Sequence, residues 1–134
     1  MVDRKRLLRG YKITFVVLGV GMLLLYGSFA IYDFIAHTRA VTIAKRPGVA
    51  KSIEEVLSQL DPKAFTKDGM IKTYEIHIEE SNFTPTNWLA IYVEINNNPD
   101  LYVNAQIKYD TLNEEYETGP LTISERLSKL LRGE

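Results

Sequence analysis

Residues Trp88 to Tyr109, WLAIYVEINNNPDLYVNAQIKY, carry the clearest indication of the fold of this protein. Apolar residues occupy the odd positions on both sides of the Asn-rich centre, first over 89–95 and then over 101–109. An alternation with a period of two is typical of an antiparallel sheet that is covered on one face. We therefore predict two paired strands, and we expect the first, which is the more apolar, to be central in the sheet.

The connection between these two strands is constrained by parity. Two residues that pair directly across the strands point to the same face of the sheet. Because the apolar residues of both strands have odd numbers, an odd-numbered residue must pair with an odd-numbered one, and the two numbers have an even sum. This predicts an odd loop of three or five residues, with Pro99-Asp100 at the centre of a type I turn. A third strand is predicted within 70–80, after a turn at Asp68-Gly69 whose glycine tolerates a positive φ. A short fourth strand is expected after Asn113.

Two amphipathic helices flank the predicted strands. The first begins at Pro47 and ends before Asp61-Pro62, with an apolar stripe at the helical period: Val49, Ile53, Val56, Leu57 and Leu60. The second follows a capping box, with Thr122 as N-cap and Glu125 reaching back. The predicted fold class is α+β, in the order α-β-β-β-(β)-α. It consists of a three- to four-stranded antiparallel sheet with two helices on one face.

An uncharged apolar run precedes this domain. It extends over 20 residues from Ile13 to Tyr32, and at about 1.5 Å per residue a helix of that length crosses the roughly 30 Å hydrocarbon layer. We predict a tail at 1–11, a transmembrane helix at 12–36, a juxtamembrane stalk at 37–46 and a globular domain at 47–134. A signal sequence cleaved after Ala30 is the alternative. Residues 34–46 fit either a continuing helix or a short strand.

Charge distribution predicts the topology and the class of partner. The short tail carries five basic residues and resists translocation, whereas a long domain crosses largely regardless of charge. We predict a single-pass cell-membrane protein with a cytoplasmic N-terminus and an extracytoplasmic domain. Excluding five basic and two acidic residues before position 37 from totals of 16 and 17 leaves 11 basic and 15 acidic residues, a net charge of −4. A domain this acidic is a poor candidate for binding nucleic acid.

Two groups of side chains are candidates for a site. Glu75, His77 and Glu79 share one face of the predicted third strand and include donors that bind zinc or exchange protons. The more ordinary interpretation is a solvated strand face, so we predict no metal and no cofactor. Trp88, Ala90 and Tyr92 lie on the face opposite the predicted helices and form a candidate partner-binding patch, because aromatic residues are enriched in binding hot spots. The alternative is that Trp88 packs under the loop 81–87.

Three segments resemble a known family. They are Leu60–Tyr74, the strand ending in Ile95-Asn96-Asn97, and the terminal stretch from Ile123 to Leu131 with its leucines. They are similar to domain of unknown function 1310, a family of small membrane-anchored proteins of Gram-positive bacteria. The resemblance implies a cell type and a topology, and it implies no catalytic residues.

The chain contains no cysteine, no phosphate-binding glycine loop and no metalloprotease motif, so an enzyme is disfavoured. The predicted function is a membrane-tethered, non-enzymatic interaction or accessory protein of the cell envelope. Its partners are the lipid bilayer, through 12–36, and a membrane or envelope protein. The alternative is a small extracytoplasmic sensor or enzyme-like domain that binds a metal or an envelope ligand through Glu75, His77 and Glu79.

Overall fold

The computed structural model describes residues 3–134, which form two compact units divided between Ile35 and Ala36. The helical elements are α1 (Arg4–Ala44), α2 (Pro47–Leu60), a single 3₁₀ turn (Ile78–Glu80) and α3 (Glu125–Leu131). The strands are β1 (Tyr74–Ile76), β2 (Asn82–Phe83), β3 (Leu89–Ile95), β4 (Asn98–Asp110) and β5 (Glu115–Ile123). The predicted α+β class is confirmed, and the sheet has five strands.

Within the first unit, α1 is apolar around its whole circumference. Met22–Tyr26 are five consecutive residues, which is more than one helical turn, and each is between 63% and 76% exposed. A helix that is apolar on all sides and not covered by protein has the character of a membrane span. Among residues 3–134, α1 is the one helix long and apolar enough to cross a bilayer.

The second unit begins with the end of α1, where the sequence left a helix and a strand as alternatives. Residues up to Ala44 are helical, and Ala40 and Ala44 are fully or almost fully buried in the core. The segment predicted as a stalk, 37–46, therefore contributes to the domain. Its small alanine side chains allow the helix backbone to approach the other core residues closely.

The sheet is antiparallel throughout, with the order β1-β3-β4-β5, and β2 also pairs with β3. The predicted central position of β3 is confirmed, as is the even pairing sum, since Leu89 pairs with Ile107 and Val93 with Val103. The odd-numbered residues of β3 and those from Leu101 to Ile107 of β4 are buried together with residues of α2 and α3, whereas Tyr109 is exposed. The core includes Val49, Ile53, Leu57, Leu89, Ile91, Val93, Ile95, Leu101, Val103, Ala105, Ile107 and Leu127.

The β3–β4 turn differs from the prediction. It has two residues, Asn96 and Asn97, both with a positive φ of 55° and 53°, as a type I′ turn requires. Asn side chains tolerate this left-handed conformation, so the chain reverses before Pro99. Ile95 pairs with Asn98 whereas Glu94 pairs with Tyr102, so β4 bulges after the turn. Beyond the bulge the paired residue numbers have an even sum, which is the register that the predicted odd loop would have produced.

The connector 61–73 is held in place by hydrogen bonds to side chains, and it does not pair as a strand with the sheet. Asp61 Oδ2 accepts hydrogen bonds from the backbone N–H groups of Met70 (2.8 Å) and Ile71 (3.0 Å), and Oδ1 accepts one from Lys63. Asn96 Oδ1 accepts bonds from the next two N–H groups, those of residues 72 and 73. Because these N–H groups are already bonded, the predicted strand 70–80 is wrong except for Tyr74–Ile76.

Two local predictions are corrected by packing. Gly69 does not adopt a positive φ, and a Cβ at this position would lie 2.7 Å from the Lys63 carbonyl carbon, so close backbone approach is what excludes a side chain. The N-cap of α3 is Ser124, whose Oγ accepts the Leu127 N–H, and not Thr122. Thr122 lies in β5 and pairs with Asn104, because the strand continues to Ile123.

Candidate functional site

The candidate site is the face of the sheet opposite the core, which we call the open face. It is formed by the even-numbered residues of β3 and β4, whose side chains are half-buried or exposed: Ala90, Tyr92, Glu94, Tyr102, Asn104, Gln106 and Lys108. Strand β1 adds Glu75, which pairs with Glu94. Because the helices pack on the odd face, these side chains are available for binding.

A row of aromatic rings crosses the open face. The rings of Tyr92 and Tyr102 stack with centroids 5.3 Å apart, and His77 packs edge-on against Tyr92 at 5.0 Å. Tyr92 pairs with Asn104 and Glu94 pairs with Tyr102, so the two tyrosines are diagonal neighbours within reach of each other. Burial raises the pKa of the Tyr92 hydroxyl, with a smaller effect from nearby carboxylates. Tyr92 therefore remains a neutral phenol at physiological pH and can donate a hydrogen bond.

Trp88 lies on the same face as Ala90 and Tyr92, as predicted. Its ring contacts residues of the strands β4 and β5. Its ring is 5.7 Å from Lys108 Nζ, and a Cβ on Gly119 of β5 would lie 2.8 Å from its Cζ3 atom. The absence of a side chain at Gly119 thus allows the indole to pack against β5. The Trp88 backbone is held by the loop through hydrogen bonds with Thr84. The partner-binding role of these three residues stays a prediction.

An acidic corner with one histidine lies beside the aromatic row. His77 Nε2 donates to Glu94 Oε2 at 2.8 Å, and its Nδ1 lies 3.7 Å from Glu80 Oε2. Glu75, His77 and Glu94 place one ligand atom each within 4.8 Å of the other two. The corner is partly shielded, since the side chains of His77 and Glu94 are 31% and 15% exposed.

The structure changes the composition of the group predicted from sequence. Glu75 and His77 are brought together, whereas Glu79 is exposed on the 3₁₀ turn and does not belong to the group. The turn forms because the N–H groups of Glu80 and Ser81 bond to carbonyl oxygens three residues earlier, which ends the period of two. The third member of the group is Glu94. Only the register between β1 and β3, which the sequence does not display, identifies it.

Comparison with known protein families shows the family to which the chain belongs. The family described as "Protein of unknown function (DUF1310)" matches residues 13–130, from within α1 to α3. The chain belongs to this family. The resemblance drawn from the sequence is therefore confirmed. The match to the DUF1310 family covers most of the apolar helix and most of the domain. Comparisons with curated proteins and with solved structures give no match.

Proposed function

We propose that this DUF1310 protein is a non-enzymatic accessory protein of the cell envelope, tethered by α1, that binds a second envelope protein on its open face. The observation that carries the proposal is the aromatic row of Tyr92 and Tyr102, together with Trp88, on a sheet face opposite all the core-packing helices. Tyrosine and tryptophan supply large, rigid contact areas and dominate binding hot spots.

The character of the surface supports binding and not catalysis. Asn104, Gln106 and the tyrosine hydroxyls offer hydrogen-bond donors and acceptors on the open face. Rings and amides are the side chains that binding surfaces use for large contact areas and adaptable hydrogen bonds. This combination suits another polypeptide. We favour this function over a small sensor or enzyme-like domain.

Charge and location narrow the class of partner. The domain from residue 37 carries a net charge of −4, and Glu80, Glu94 and Glu117 lie at or near the open face. Opposite charges across an interface accelerate association and select partners. We propose a partner with a basic contact surface. With the N-terminus cytoplasmic and the domain extracytoplasmic, this partner is exposed outside the membrane and lies near it.

The test places a photo-crosslinking amino acid at Gln106 in the full chain, expressed in its own membranes. The expected result is a crosslink to one membrane or envelope protein through a basic segment, weakened by added salt. Trp88→Ala and Tyr92→Ala should each reduce the crosslink by about 30-fold, as expected for a hot spot worth about 2 kcal/mol.

The matched control is Leu112→Ala, which removes an apolar side chain that is 92% exposed in the β4–β5 hairpin. This control should retain the crosslink. The proposal fails if the ring variants crosslink as well as the wild-type chain while remaining folded. It also fails if the captured surface is acidic, or if Leu112→Ala loses the crosslink equally.

A further inference from the structure

We infer that the acidic corner is a binding site for a divalent transition metal, with zinc as the best fit, through Glu75, His77 and Glu94. Glu75 and Glu94 lie in the paired strands β1 and β3, and the His77 backbone N–H donates to the Tyr92 carbonyl oxygen at 2.9 Å, so the sheet holds all three backbones. Each residue offers one ligand atom, and these atoms lie within 4.8 Å of one another. This inference goes beyond the docking proposal and does not depend on it.

The register of β1 and β3 places two carboxylates in direct opposition. Glu75 pairs with Glu94, and both side chains leave the same face of the sheet. Like charges directly opposite on neighbouring strands are destabilising. A divalent cation between them removes this repulsion, because its two positive charges balance the charges of these two carboxylates. The hydrogen bond from His77 reaches Glu94 and not Glu75.

The donor set favours zinc over calcium or magnesium. Imidazole and carboxylate together suit zinc, whereas calcium and magnesium prefer oxygen ligands alone. Tetrahedral bonds of about 2.0–2.2 Å place two ligand atoms about 3.3 Å apart. A pair separated by 4.8 Å must therefore close by about 1.5 Å, while the 2.8 Å pair of His77 Nε2 and Glu94 Oε2 opens by about 0.5 Å. Glu75 is exposed and can rotate to supply most of this movement. Three protein ligands leave a fourth position for water.

The partner of the second imidazole nitrogen is already in place. A metal on Nε2 displaces the hydrogen bond to Glu94, and the neutral ring then carries its proton on Nδ1. That nitrogen faces Glu80 Oε2 at 3.7 Å. Metal-binding histidines commonly donate their other N–H to a carboxylate, which fixes the tautomer and the ring orientation. The edge contact with Tyr92 restrains the same ring.

Calorimetric titration of zinc chloride into the full chain tests the site, in mild detergent and without a polyhistidine tag. One zinc ion per chain should bind with micromolar affinity and raise the melting temperature. Loss of an outer partner alone lowers metal affinity by roughly 10- to 100-fold, so His77→Ala and Glu75→Gln should each lower it by at least that factor. Glu75→Gln alters an exposed side chain and keeps the test valid if His77→Ala does not fold.

Two matched controls isolate the corner. Glu79→Gln removes the neighbouring carboxylate on the 3₁₀ turn, and His37→Gln removes the other histidine of the chain. Both should bind zinc as the wild-type chain does. The inference is overturned if the wild-type chain gives no binding heat, or if Glu75→Gln and His77→Ala bind as tightly as the controls. The crosslink to a partner is measured separately, with Trp88→Ala and Tyr92→Ala, so failure of one proposal is distinguishable from failure of the other.

Discussion

Asp61 provides the sharpest test of how this domain holds its connector. Its buried carboxylate accepts three backbone hydrogen bonds, from Lys63, Met70 and Ile71, at 2.8–3.1 Å. Asp61→Asn keeps the shape and replaces one oxygen by an NH₂ group, which cannot accept. At least one N–H is then left unsatisfied, and the remaining bonds lose their charge. A hydrogen bond to a charged group contributes about 1.5–3 kcal/mol, so we expect the free energy of unfolding to fall by about 3 kcal/mol.

Urea unfolding of the full chain in detergent, followed by fluorescence, measures this change, because Trp88 is the one tryptophan in the sequence. With a denaturant slope of about 1–3 kcal/mol/M, the midpoint should fall by about 1–3 M. Asp68→Asn, at an exposed position in the same connector, is the control and should leave the midpoint unchanged. An unchanged midpoint for Asp61→Asn would refute the role of this carboxylate in holding the connector.

The same carboxylate predicts a pH dependence with a definite sign. The hydrogen bond from Ile71, and then those from Lys63 and Met70, hold the pKa of Asp61 below its ordinary 3.8 despite burial. A lowered folded-state pKa contributes stability that is complete above the unfolded value and is lost as the pH falls through the folded value. The wild-type chain should therefore lose stability below about pH 4, and Asp61→Asn should lose less. Asp110, whose pKa is also lowered by hydrogen bonds in the β4–β5 turn, is tested separately with Asp110→Asn.

Three further predictions follow from the corrected local structure and from the proposed topology. Ser124→Ala removes the acceptor for the Leu127 and Tyr102 N–H groups and should lower the free energy of unfolding, measured in urea, by about 1–2 kcal/mol. Thr122→Ala should lower it by less. The reverse order would show that Thr122 is the cap. Gly69→Ala should lower the melting temperature because its Cβ meets the Lys63 carbonyl, at a cost of about 1–3 kcal/mol, while Gly19→Ala in α1, with open space around it, should not. A cysteine at Asn97 should react with a membrane-impermeant maleimide in intact cells, and one at Val2 only after permeabilisation; the opposite pattern would place the domain in the cytoplasm.

Burial periodicity made much of the fold accessible from sequence alone. The period of two over 89–95 and 101–109 identified β3 and β4 and their buried face, because each side chain's face depends only on its position along the strand. Pro47 and Asp61 marked the ends of α2 for equally local reasons. The uncharged run from residue 13 to 32 identified the apolar helix from its length.

Which residues from separate segments meet depends on the folded arrangement of the chain. The two-residue turn at Asn96-Asn97 prevailed over Pro99-Asp100 because the Asn96 side chain also bonds the distant connector at residues 72 and 73. Glu94 replaced Glu79 beside His77 because the register of β1 on β3 placed it there. Periodicity is a property of one segment, so it was enough to predict the buried faces of α2, β3 and β4. The partners across the sheet and the caps of its loops depend on segments far apart in the chain, and these are brought together only by folding.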